Sequence, residues 1–470
     1  MRIERENPAA PAQIVGSVAA SAPESVDATV RRAHDQFLAW SARSLTDRLT
    51  VLRSATAAIA ARTDDFARLL ARESGKPVAD CRGEIGFAVT YLRWVCANAP
   101  AVLNTDVRDD DLGRLEQTGA PFGVVLAITP WNAPIILAMI KLGPALAAGN
   151  AVVLKPSPLA PLTVTAVAEL LPATTVVHGG PDTVAALIAH PAVRKVAFTG
   201  GEAAGRAIAA AAGAALTPVL LELGGNDPAI LLDDFALTDA DYDRLVLASF
   251  ATAGQVCMAA KRLYVPRGRY PEFVDAYRAA AARTLRVGDP LSAKVTMGPV
   301  VTRAAAERVI ALLDDAARRG GRIVPLAPAP RGDGYFLAPA LVLDLPDEAD
   351  LVRLEQFGPA VPLLVYDAED EVVRRANDSE LGLGASVWSA DEDRAFALAR
   401  RLEAGFTFVN THNRTGMSPR APFGGVKSSG FGREYGLEGM REYVQSTVRH
   451  APSAFRRGGL GAAAGAYPAG

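Results

Sequence analysis

The sequence of 470 residues predicts an α/β protein with two domains, the first of them built on a parallel sheet. Residues 123–221 alternate short apolar runs with helical stretches, which is typical of β-α-β units. A second alternation of the same kind begins after Asp227. A chain of this length is also too long for one compact core, so more than one domain is expected.

The elements follow in chain order. From residue 26 to about 99 the apolar residues recur at three- and four-residue steps, which predicts helices, and Gly75-Lys76-Pro77 interrupts them. Residues 107–117 are polar and acidic and predict a projecting hairpin. Strands are predicted in the first region at 124–128, 151–154, 175–177, 195–198 and 219–221, and in the second region at 229–232, 262–265, 361–365, 386–388 and 407–410.

Composition excludes several classes of function. Hydrophobic residues make up 50% and charged residues 21%, and the net charge of -2 gives no electrostatic basis for binding nucleic acid or a membrane surface. Lys141 and Pro144 interrupt the apolar run 133–148, so no membrane span is predicted. Three cysteines and an N-terminus without an apolar core predict a cytoplasmic protein. The histidines show no metal-ligand spacing, so no metal site is predicted.

Motifs with candidate chemistry occur in the order Thr129-Pro-Trp-Asn132, Leu221-Glu-Leu-Gly-Gly-Asn226, Gly254-Gln-Val-Cys257 and Glu355-Gln-Phe-Gly-Pro359. A thiol and a carboxylate in such settings suggest an attacking sulfur and a base that serves it. Together the motifs resemble the aldehyde dehydrogenase superfamily over about residues 7–448. The resemblance implies a Rossmann-like cofactor domain (1–106 and 121–228), an α/β catalytic domain (229–436) and a small β oligomerisation element (107–120 and 437–455). The Gly/Ala-rich residues 456–470 predict a disordered tail.

The resemblance implies oxidation of an aldehyde to its carboxylic acid with reduction of NAD(P). In this chemistry a thiolate adds to the carbonyl, and water later hydrolyses the resulting thioester. Cys257 is the predicted nucleophile, because the family uses this position. Without the motif, a lone cysteine would be interpreted as a buried structural residue, which is our prediction for Cys81 and Cys96.

Three further residues are predicted to be catalytic. The resemblance favours Asn132 as a donor to the oxyanion, with the Cys257 backbone N–H as the second donor, over a role as a turn former only. Glu222 ends an apolar strand, where desolvation raises the pKa of a carboxylate and lets it accept a proton from the thiol or from water. The alternative for Glu222 is an ion pair with a surface base. Glu434 matches a second family glutamate that supports the water and the proton route.

NAD is the predicted cofactor, with NADP left open. Gly200 and Gly201 lie between a strand and a helix, where backbone N–H groups bind a pyrophosphate, and Gly201 replaces a family Ser. Lys155 matches the lysine that binds the adenosine ribose. Pro158 stands where many NAD-preferring relatives carry a Glu that repels a 2′-phosphate. Further predicted cofactor contacts are Thr129, Trp131, Ser157, Gly180, Leu223, Glu355 and Phe357.

The predicted substrate contacts are His412, Arg414 and Phe423, which correspond to the family's substrate tunnel and to the stretch that closes the active site. A polar, basic mouth favours an aldehyde with a carboxylate or another polar tail. The alternative is that Arg414 and Arg420 face solvent or a neighbouring subunit.

Two other functions and the assembly state complete the predictions. A relative that transfers the acyl group to coenzyme A typically lacks the base, so Glu222 argues against it. A non-catalytic NAD(P)-binding protein on the same scaffold would not need Cys257, Glu222 and Asn132 together. Residues 107–117 and 441–448 resemble the hairpin and strand through which family members pair, and a projecting hairpin gains by joining a neighbour's sheet. A homodimer or homotetramer is therefore predicted.

Overall fold

The computed structural model describes residues 2–453, and the predicted tail at 456–470 lies outside the described residues. The strands are β1 (Arg2–Asn7), β2 (Ala10–Ala19), β3 (Asp106–Asp110), β4 (Gly113–Pro121), β5 (Val124–Thr129), β6 (Ala151–Pro156), β7 (Thr174–Val176), β8 (Val193–Thr199), β9 (Val219–Glu222), β10 (Asp227–Leu231), β11 (Ala260–Pro266), β12 (Arg322–Pro325), β13 (Ala340–Leu343), β14 (Ala360–Tyr366), β15 (Leu381–Gly382), β16 (Gly384–Trp388), β17 (Phe406–Val409), β18 (Val426–Lys427), β19 (Gly430–Phe431) and β20 (Val444–Pro452). The helices are α1 (Val26–Ser41), α2 (Leu45–Ala61), α3 (Thr63–Ser74), α4 (Val78–Asn98), α5 (Pro100–Leu103), α6 (Pro134–Ala147), α7 (Pro161–Ala168), α8 (Pro181–Ala189), α9 (Glu202–Ala214), α10 (Asp239–Phe250), α11 (Tyr270–Thr284), α12 (Arg303–Arg318), α13 (Asp350–Arg353), α14 (Glu369–Asn377), α15 (Glu392–Ala399) and α16 (Gly436–Arg441).

The first domain is built on a six-stranded sheet in the order β19-β9-β8-β5-β6-β7. All of its strands except β19 run parallel, and β5 and β6 are almost wholly buried, as apolar strands covered on both faces should be. The parallel sheet predicted for this region is therefore confirmed. Strand β19 pairs antiparallel with β9 and brings residues 430–431 into this sheet, whereas the expected catalytic domain ran on to residue 436.

The second domain is built on a seven-stranded sheet in the order β12-β13-β14-β11-β10-β16-β17. Only the edge strand β12 is antiparallel to its neighbour. Each strand predicted after residue 227 overlaps one of these strands, which confirms the second α/β region. The sheet begins at Asp227, close to the expected boundary at residue 229.

The helical N-terminal region is also confirmed. Helix α3 ends where Gly75 adopts a left-handed conformation with φ of 80°, which a glycine tolerates without strain, and α4 begins three residues later. Helix α4 packs against α2, α3 and α6, and α2 also contacts α6. Within residues 2–453, none of the helices combines the length and apolarity that crossing a bilayer requires.

Two peripheral β elements complete the chain. The predicted hairpin is formed by β3 and β4, and β20 pairs antiparallel along the whole of β4. The sequence did not predict the N-terminal hairpin of β1 and β2. Its buried Arg5 explains how it is held, because the guanidinium donates to the Glu73 carbonyl at 2.6 Å in the first domain and to the Val301 carbonyl at 3.0 Å in the second.

Candidate active site

The carboxyl ends of the parallel strands place several polar residues at one edge of the first sheet. Thr129 ends β5, Thr199 ends β8 and Glu222 ends β9, with Thr199 and Glu222 in register. Parallel strands commonly present ligand-binding groups at this edge, because the loops that follow them start there. Helix α6 begins just beyond β5, so Asn132 in the connecting loop lies at the same edge.

The loop that carries Cys257 comes from the second domain and meets this edge. The Asn132 side-chain amide donates to the Gln255 carbonyl at 3.0 Å, which fixes Asn132 against the Cys257 loop. Just before it, the short 3-10 segment Ala251–Gly254 holds Thr252 and Ala253 at φ of 56° and 54°. Such left-handed conformations cost free energy in residues other than glycine, and they are concentrated at functional sites.

The Cys257 thiol does not ionise readily where it lies. Burial raises the pKa of this thiol, and the negative charges of Glu355, Glu222 and Asp227 raise it further. A thiol in this environment needs a base to accept its proton before the sulfur can act as a nucleophile. Cys81 and Cys96 are both buried in helix α4, which agrees with the structural role predicted for them.

Glu222 is a buried carboxylate with an unused acceptor. Its Oε1 atom has no hydrogen-bond partner among the described residues. Burial raises the pKa of Glu222 well above its usual range, and the nearby Glu434 carboxylate raises it further. Glu222 thus lies at the end of an apolar strand in the desolvated environment predicted for it, where burial raises the pKa of a carboxyl group.

Glu434 is also buried, but it has a partner. Its Oε1 atom forms an ion pair with the Lys141 ammonium group, which donates to Thr199 Oγ1 at 2.6 Å as well. Burial raises the pKa of Glu434, while Lys141 opposes that rise. In the sequence, Lys141 stands out only as an interruption of an apolar run. A lysine among apolar residues on a predicted buried helix indicates a buried ion pair, because such a charge is not buried without a partner.

The wall expected to face the cofactor consists mainly of backbone. Gly201 is the N-cap of α9, and a Cβ atom added to it would meet nothing within 4 Å, whereas one on Gly200 would lie 2.5 Å from the Phe198 ring. The Gly200 N–H donates to the Glu222 carbonyl at 3.0 Å, so this turn is fixed to the end of β9. A helix N-terminus with unhindered backbone fits a pyrophosphate.

The two ends of an extended cofactor also find suitable groups. Lys155 is half-buried in β6, and burial lowers the pKa of its ammonium group. At the other end Glu355 accepts from the Gly225 N–H at 3.1 Å, and burial raises the pKa of this carboxyl to about 7. Trp131 and Phe357 stand edge to face with ring centroids 5.7 Å apart. These residues fit a dinucleotide.

The other predicted cofactor contacts lie in loops around this wall. Ser157 Oγ accepts from the Leu159 N–H at 3.2 Å, and Gly180 is the N-cap of α8. Leu223 packs so closely on α9 that a Cβ atom on Gly205 would lie 2.4 Å from it. The Thr129 hydroxyl is buried without a hydrogen-bond partner in residues 2–453.

The residues predicted to form a polar substrate mouth are only partly exposed. His412 is buried, since Nδ1 lies 2.7 Å from Ser386 Oγ and Nε2 lies 3.1 Å from the Met258 carbonyl. Its ring therefore turns into the protein rather than toward an open mouth. Arg414 is half exposed and forms an ion pair with Asp80 at 2.9 Å. Phe423 pairs backbone to backbone with Glu434 and packs 5.5 Å from Phe406.

Lys261 is a second buried lysine that the sequence reasoning missed. Its ammonium group donates to the Gly358 carbonyl at 2.6 Å, and a Cβ atom on Gly254 would lie 2.5 Å from it. It thus joins the loop after Phe357 to the loop before Cys257. Burial lowers the pKa of Lys261 to about 7.

Comparison with known proteins gives one consistent result. The model of the aldehyde dehydrogenase family matches residues 1–448. An NADP-dependent succinate-semialdehyde dehydrogenase of Escherichia coli is 36% identical over 444 residues, covering 92% of this chain and 90% of that protein. A geranial dehydrogenase of Castellaniella defragrans is 38% identical over 445 residues, covering 92% and 91%. The crystal structure of an NAD-dependent aldehyde dehydrogenase from Sinorhizobium meliloti superposes with a TM-score of 0.92 at 31% identity, covering 100% of this chain and 93% of that one.

Proposed function

Since the chain belongs to the aldehyde dehydrogenase family, and oxidises an aldehyde to its acid with reduction of NAD or NADP, we propose that Cys257 is the nucleophile of this reaction. The single observation that carries the proposal is the convergence of the Cys257 loop, Asn132 and Glu222 at the carboxyl edge of the first sheet. Thiol, oxyanion donor and base are the groups that addition to a carbonyl requires.

The first step is addition of sulfur to the aldehyde. Glu222 accepts the thiol proton through its unpartnered Oε1, and the Cys257 sulfur forms a bond to the carbonyl carbon. The carbonyl oxygen becomes an oxyanion, which the Asn132 amide and the Cys257 backbone N–H stabilise. The hydrogen bond of Asn132 to the Gln255 carbonyl keeps its amide close to the Cys257 loop before substrate arrives.

The second step is release of the acid. When bound, NAD(P)+ supplies the acceptor for the hydride that leaves the former aldehyde carbon. Cys257 then carries the acyl group as a thioester. Glu222, after it has released the thiol proton, removes a proton from the attacking water, and the C–S bond breaks so that the acid leaves and the Cys257 thiolate is restored. Glu434 and Lys141 carry this proton onward, because both are buried beside Glu222 and are already joined to each other.

The cofactor is held by the remaining predicted residues. The backbone N–H of Gly201 at the start of α9 binds the pyrophosphate, and Gly200, whose own N–H is engaged by the Glu222 carbonyl, allows its close approach. Lys155 binds the adenosine ribose, with Thr129, Ser157, Gly180 and Leu223 along the rest of the cleft. Glu355 binds the other ribose, and Trp131 and Phe357 flank the nicotinamide.

The substrate proposed is an aldehyde with an anionic or otherwise polar tail. Support comes from Arg414, because Asp80 engages one of its guanidinium nitrogens and no other side chain of residues 2–453 forms an ion pair with it. Curated relatives named for succinate semialdehyde, glutarate semialdehyde and 3-sulfolactaldehyde agree with this class. Phe423 borders the same cleft, and His412 supports the loop from behind.

Arg414→Gln tests this substrate class. The variant should lower kcat/KM for a four-carbon aldehyde with a terminal carboxylate about tenfold, while an uncharged aldehyde of equal length is unaffected. Asp80→Asn is the matched control, and it should raise kcat/KM for the charged aldehyde because it frees the guanidinium. Equal loss with both aldehydes in Arg414→Gln would contradict a polar substrate.

The assembly proposed is a homodimer or homotetramer in the cytoplasm. Strand β3 is exposed along its whole length at the edge of its sheet, and Val107, Leu112 and Val448 expose apolar side chains nearby. An open edge of this kind gains by pairing with a second copy. The free cysteines suit a reducing compartment. Light scattering at micromolar concentration decides between monomer and oligomer.

Cys257→Ala tests the central assignment. It should abolish aldehyde oxidation and leave cofactor binding intact, because no neighbouring side chain can form the thioester. Cys96→Ala is the matched control and should retain full turnover. The measurements are reduced-cofactor absorbance with several aldehydes and cofactor fluorescence titration. Substantial turnover by purified Cys257→Ala would refute the nucleophile.

A further inference from the structure

The N-terminus of helix α6 is held by a carboxylate from another helix. Glu84, on α4, places its Oε1 atom 2.7 Å from the Ile135 N–H and 3.2 Å from the Ile136 N–H. Pro134 occupies the first turn and has no N–H of its own, so these are the first two amides that the helix exposes. One buried carboxylate oxygen therefore accepts hydrogen bonds from both of these N–H groups at the start of the helix.

This helix start is only two residues from Asn132. Ala133 between them has φ of -138° and ψ of 60°, so the chain turns sharply from Asn132 into α6. A shift of the first turn of α6 must therefore displace the Asn132 backbone and the side-chain amide that it carries. The contact from Asn132 to the Gln255 carbonyl is one of the links between the two domains at this site.

Lys76 fixes the position of Glu84. Its ammonium group pairs with Glu84 Oε2, and the side chain of each is only 5% exposed. Lys76 lies in the break between α3 and α4, directly after the left-handed Gly75. Burying an ion pair costs desolvation free energy, and a common Ser or Asp N-cap would satisfy a helix start without it. The buried Lys76–Glu84 pair thus fixes the position of the Glu84 carboxylate rather than raising the free energy of unfolding.

We propose that Glu84, held by Lys76, is a positioning residue that sets the place of the oxyanion donor Asn132. This inference rests on the proposed role of Asn132. Glu84 itself touches neither substrate nor cofactor, and acts through the first turn of α6. Asp80, one helical turn earlier on α4, holds Arg414 of the substrate loop, so the same helix supports two parts of the site.

The neighbouring Glu73 supplies a matched control. Its carboxylate accepts from the Leu162 and Thr163 N–H groups at 2.8 and 2.9 Å, at the start of helix α7, a few residues after Lys155. Glu73 and Glu84 thus make the same kind of contact, because each carboxylate accepts from two N–H groups at the start of a helix. Loss of Glu73 should disturb the loop of Lys155, whereas loss of Glu84 should disturb Asn132.

The test separates kcat from the KM for NAD. Glu84→Leu removes the acceptor and should lower kcat about 100-fold, the size expected for a displacement of about 1 Å in a catalytic group, with the KM for NAD changed less than about twofold. Glu84→Asp keeps the charge but withdraws the oxygen by roughly one bond length, and should lower kcat about tenfold. Glu73→Leu should instead raise the KM for NAD and leave kcat within about threefold.

A double variant decides whether Glu84 acts through Asn132. Glu84→Asp combined with Asn132→Ala should be no slower than Asn132→Ala alone, because a displaced donor has no effect once it is removed. Multiplied losses would overturn the proposal, and so would Glu84→Asp and Glu84→Leu with unchanged kcat. If Glu84→Leu does not fold, Glu84→Asp decides. An unimpaired Asn132→Ala would instead remove the oxyanion role itself, whatever the Glu84 variants do.

Discussion

The proposed chemical wall of the site consists of buried charged side chains, whereas the proposed cofactor wall consists mainly of backbone groups and one half-buried lysine. On the chemical wall Glu222, Glu434 and Lys141 are all buried, and Lys141 and Glu434 depend on each other for a partner. On the cofactor wall the half-buried Lys155 is accompanied by the backbone of Gly200 and Gly201. A substitution that removes one buried charge leaves its partner buried and unpaired. A substitution beside a row of backbone N–H groups leaves those donors in place. Mutations should therefore have large effects on the first wall and graded effects on the second.

After Cys257→Ala, Glu222→Gln should give the largest change in rate. General base catalysis contributes about 10²- to 10⁴-fold, so steady-state turnover should fall by about that factor. If activation of the attacking water is the task that depends most on Glu222, acylation slows less than hydrolysis, and a burst of reduced cofactor remains in stopped-flow measurements. Equal loss of burst and steady state would instead assign Glu222 to the thiol step.

Lys141→Met should give the largest change in stability. It leaves Glu434 buried without a partner, and breaking a buried ion pair in this way costs about 3 to 5 kcal/mol. Urea unfolding measures the free energy of unfolding directly. The control is Lys141→Met with Glu434→Gln, which removes both charges and should recover most of the loss. A double variant as unstable as the single one would show that packing, not charge, was lost.

The pH dependence of kcat/KM should report the coupling between the two glutamates. The base must be ionised, so activity falls as the pH drops through the raised pKa of Glu222, by up to about tenfold per pH unit. Glu434→Gln removes a negative charge that raises the pKa of Glu222, so the acid limb should move to lower pH. An acid limb that does not move would show that the two carboxylates are independent, and one that persists in Glu222→Gln would belong to another group.

Pro158→Glu should change the choice of cofactor. The residue is exposed beside the Lys155 loop, and a carboxylate there repels a 2′-phosphate but not a ribose hydroxyl. For the unmodified protein we expect kcat/KM with NADP to lie within about tenfold to a hundredfold of that with NAD, or about 1.4 to 2.8 kcal/mol. The variant should lower the NADP value about tenfold further. Pro158→Gln is the uncharged control and should leave the kcat/KM with NADP unchanged. If Pro158→Glu lowered the kcat/KM with NAD as much as with NADP, position 158 would not lie beside the 2′-phosphate.

Gly201→Ser should have the smallest effect. A side chain at this position meets open space and adds a hydroxyl donor at the helix start, so the KM for NAD should fall by a few-fold, about 1 kcal/mol. Gly200→Ser is the contrasting variant, because its Cβ atom collides with Phe198 and should weaken binding. Initial-rate measurements at varied NAD separate the two. If Gly200→Ser and Gly201→Ser changed the KM for NAD equally, the whole turn at residues 200–201 would have shifted in both variants.

Most of the fold was predictable, because the strands are continuous apolar runs and parallel strands must be separated by helices. The β1–β2 hairpin was not, since its strands are only partly buried and carry little apolar signal. It is held by Arg5, whose acceptors are carbonyl groups of residues 73 and 301. Contacts to backbone atoms at such distances along the chain leave no pattern in a sequence.

The candidate site was predictable where residues belong to motifs. Lys141, Lys261 and Glu84 were missed, because each acts on groups far away along the chain and lies in no motif that the resemblance supplied. His412 shows the opposite limit. A polar residue in an expected tunnel loop suggested an exposed position, but hydrogen bonds to Ser386 and Met258 turn its ring inward. Residue type alone does not reveal which way a side chain points.

The pairing of β19 with β9 has a consequence for how this protein is made. Translation produces β9 long before residues 430–431 exist, so the edge of β9 that ends in Glu222 stays unpaired until the C-terminal part of the chain emerges. Glu434 reaches Lys141 only at the same late stage. These contacts therefore form only after residue 434 has been synthesised, and a chain interrupted before residue 430 carries an open strand edge that invites aggregation.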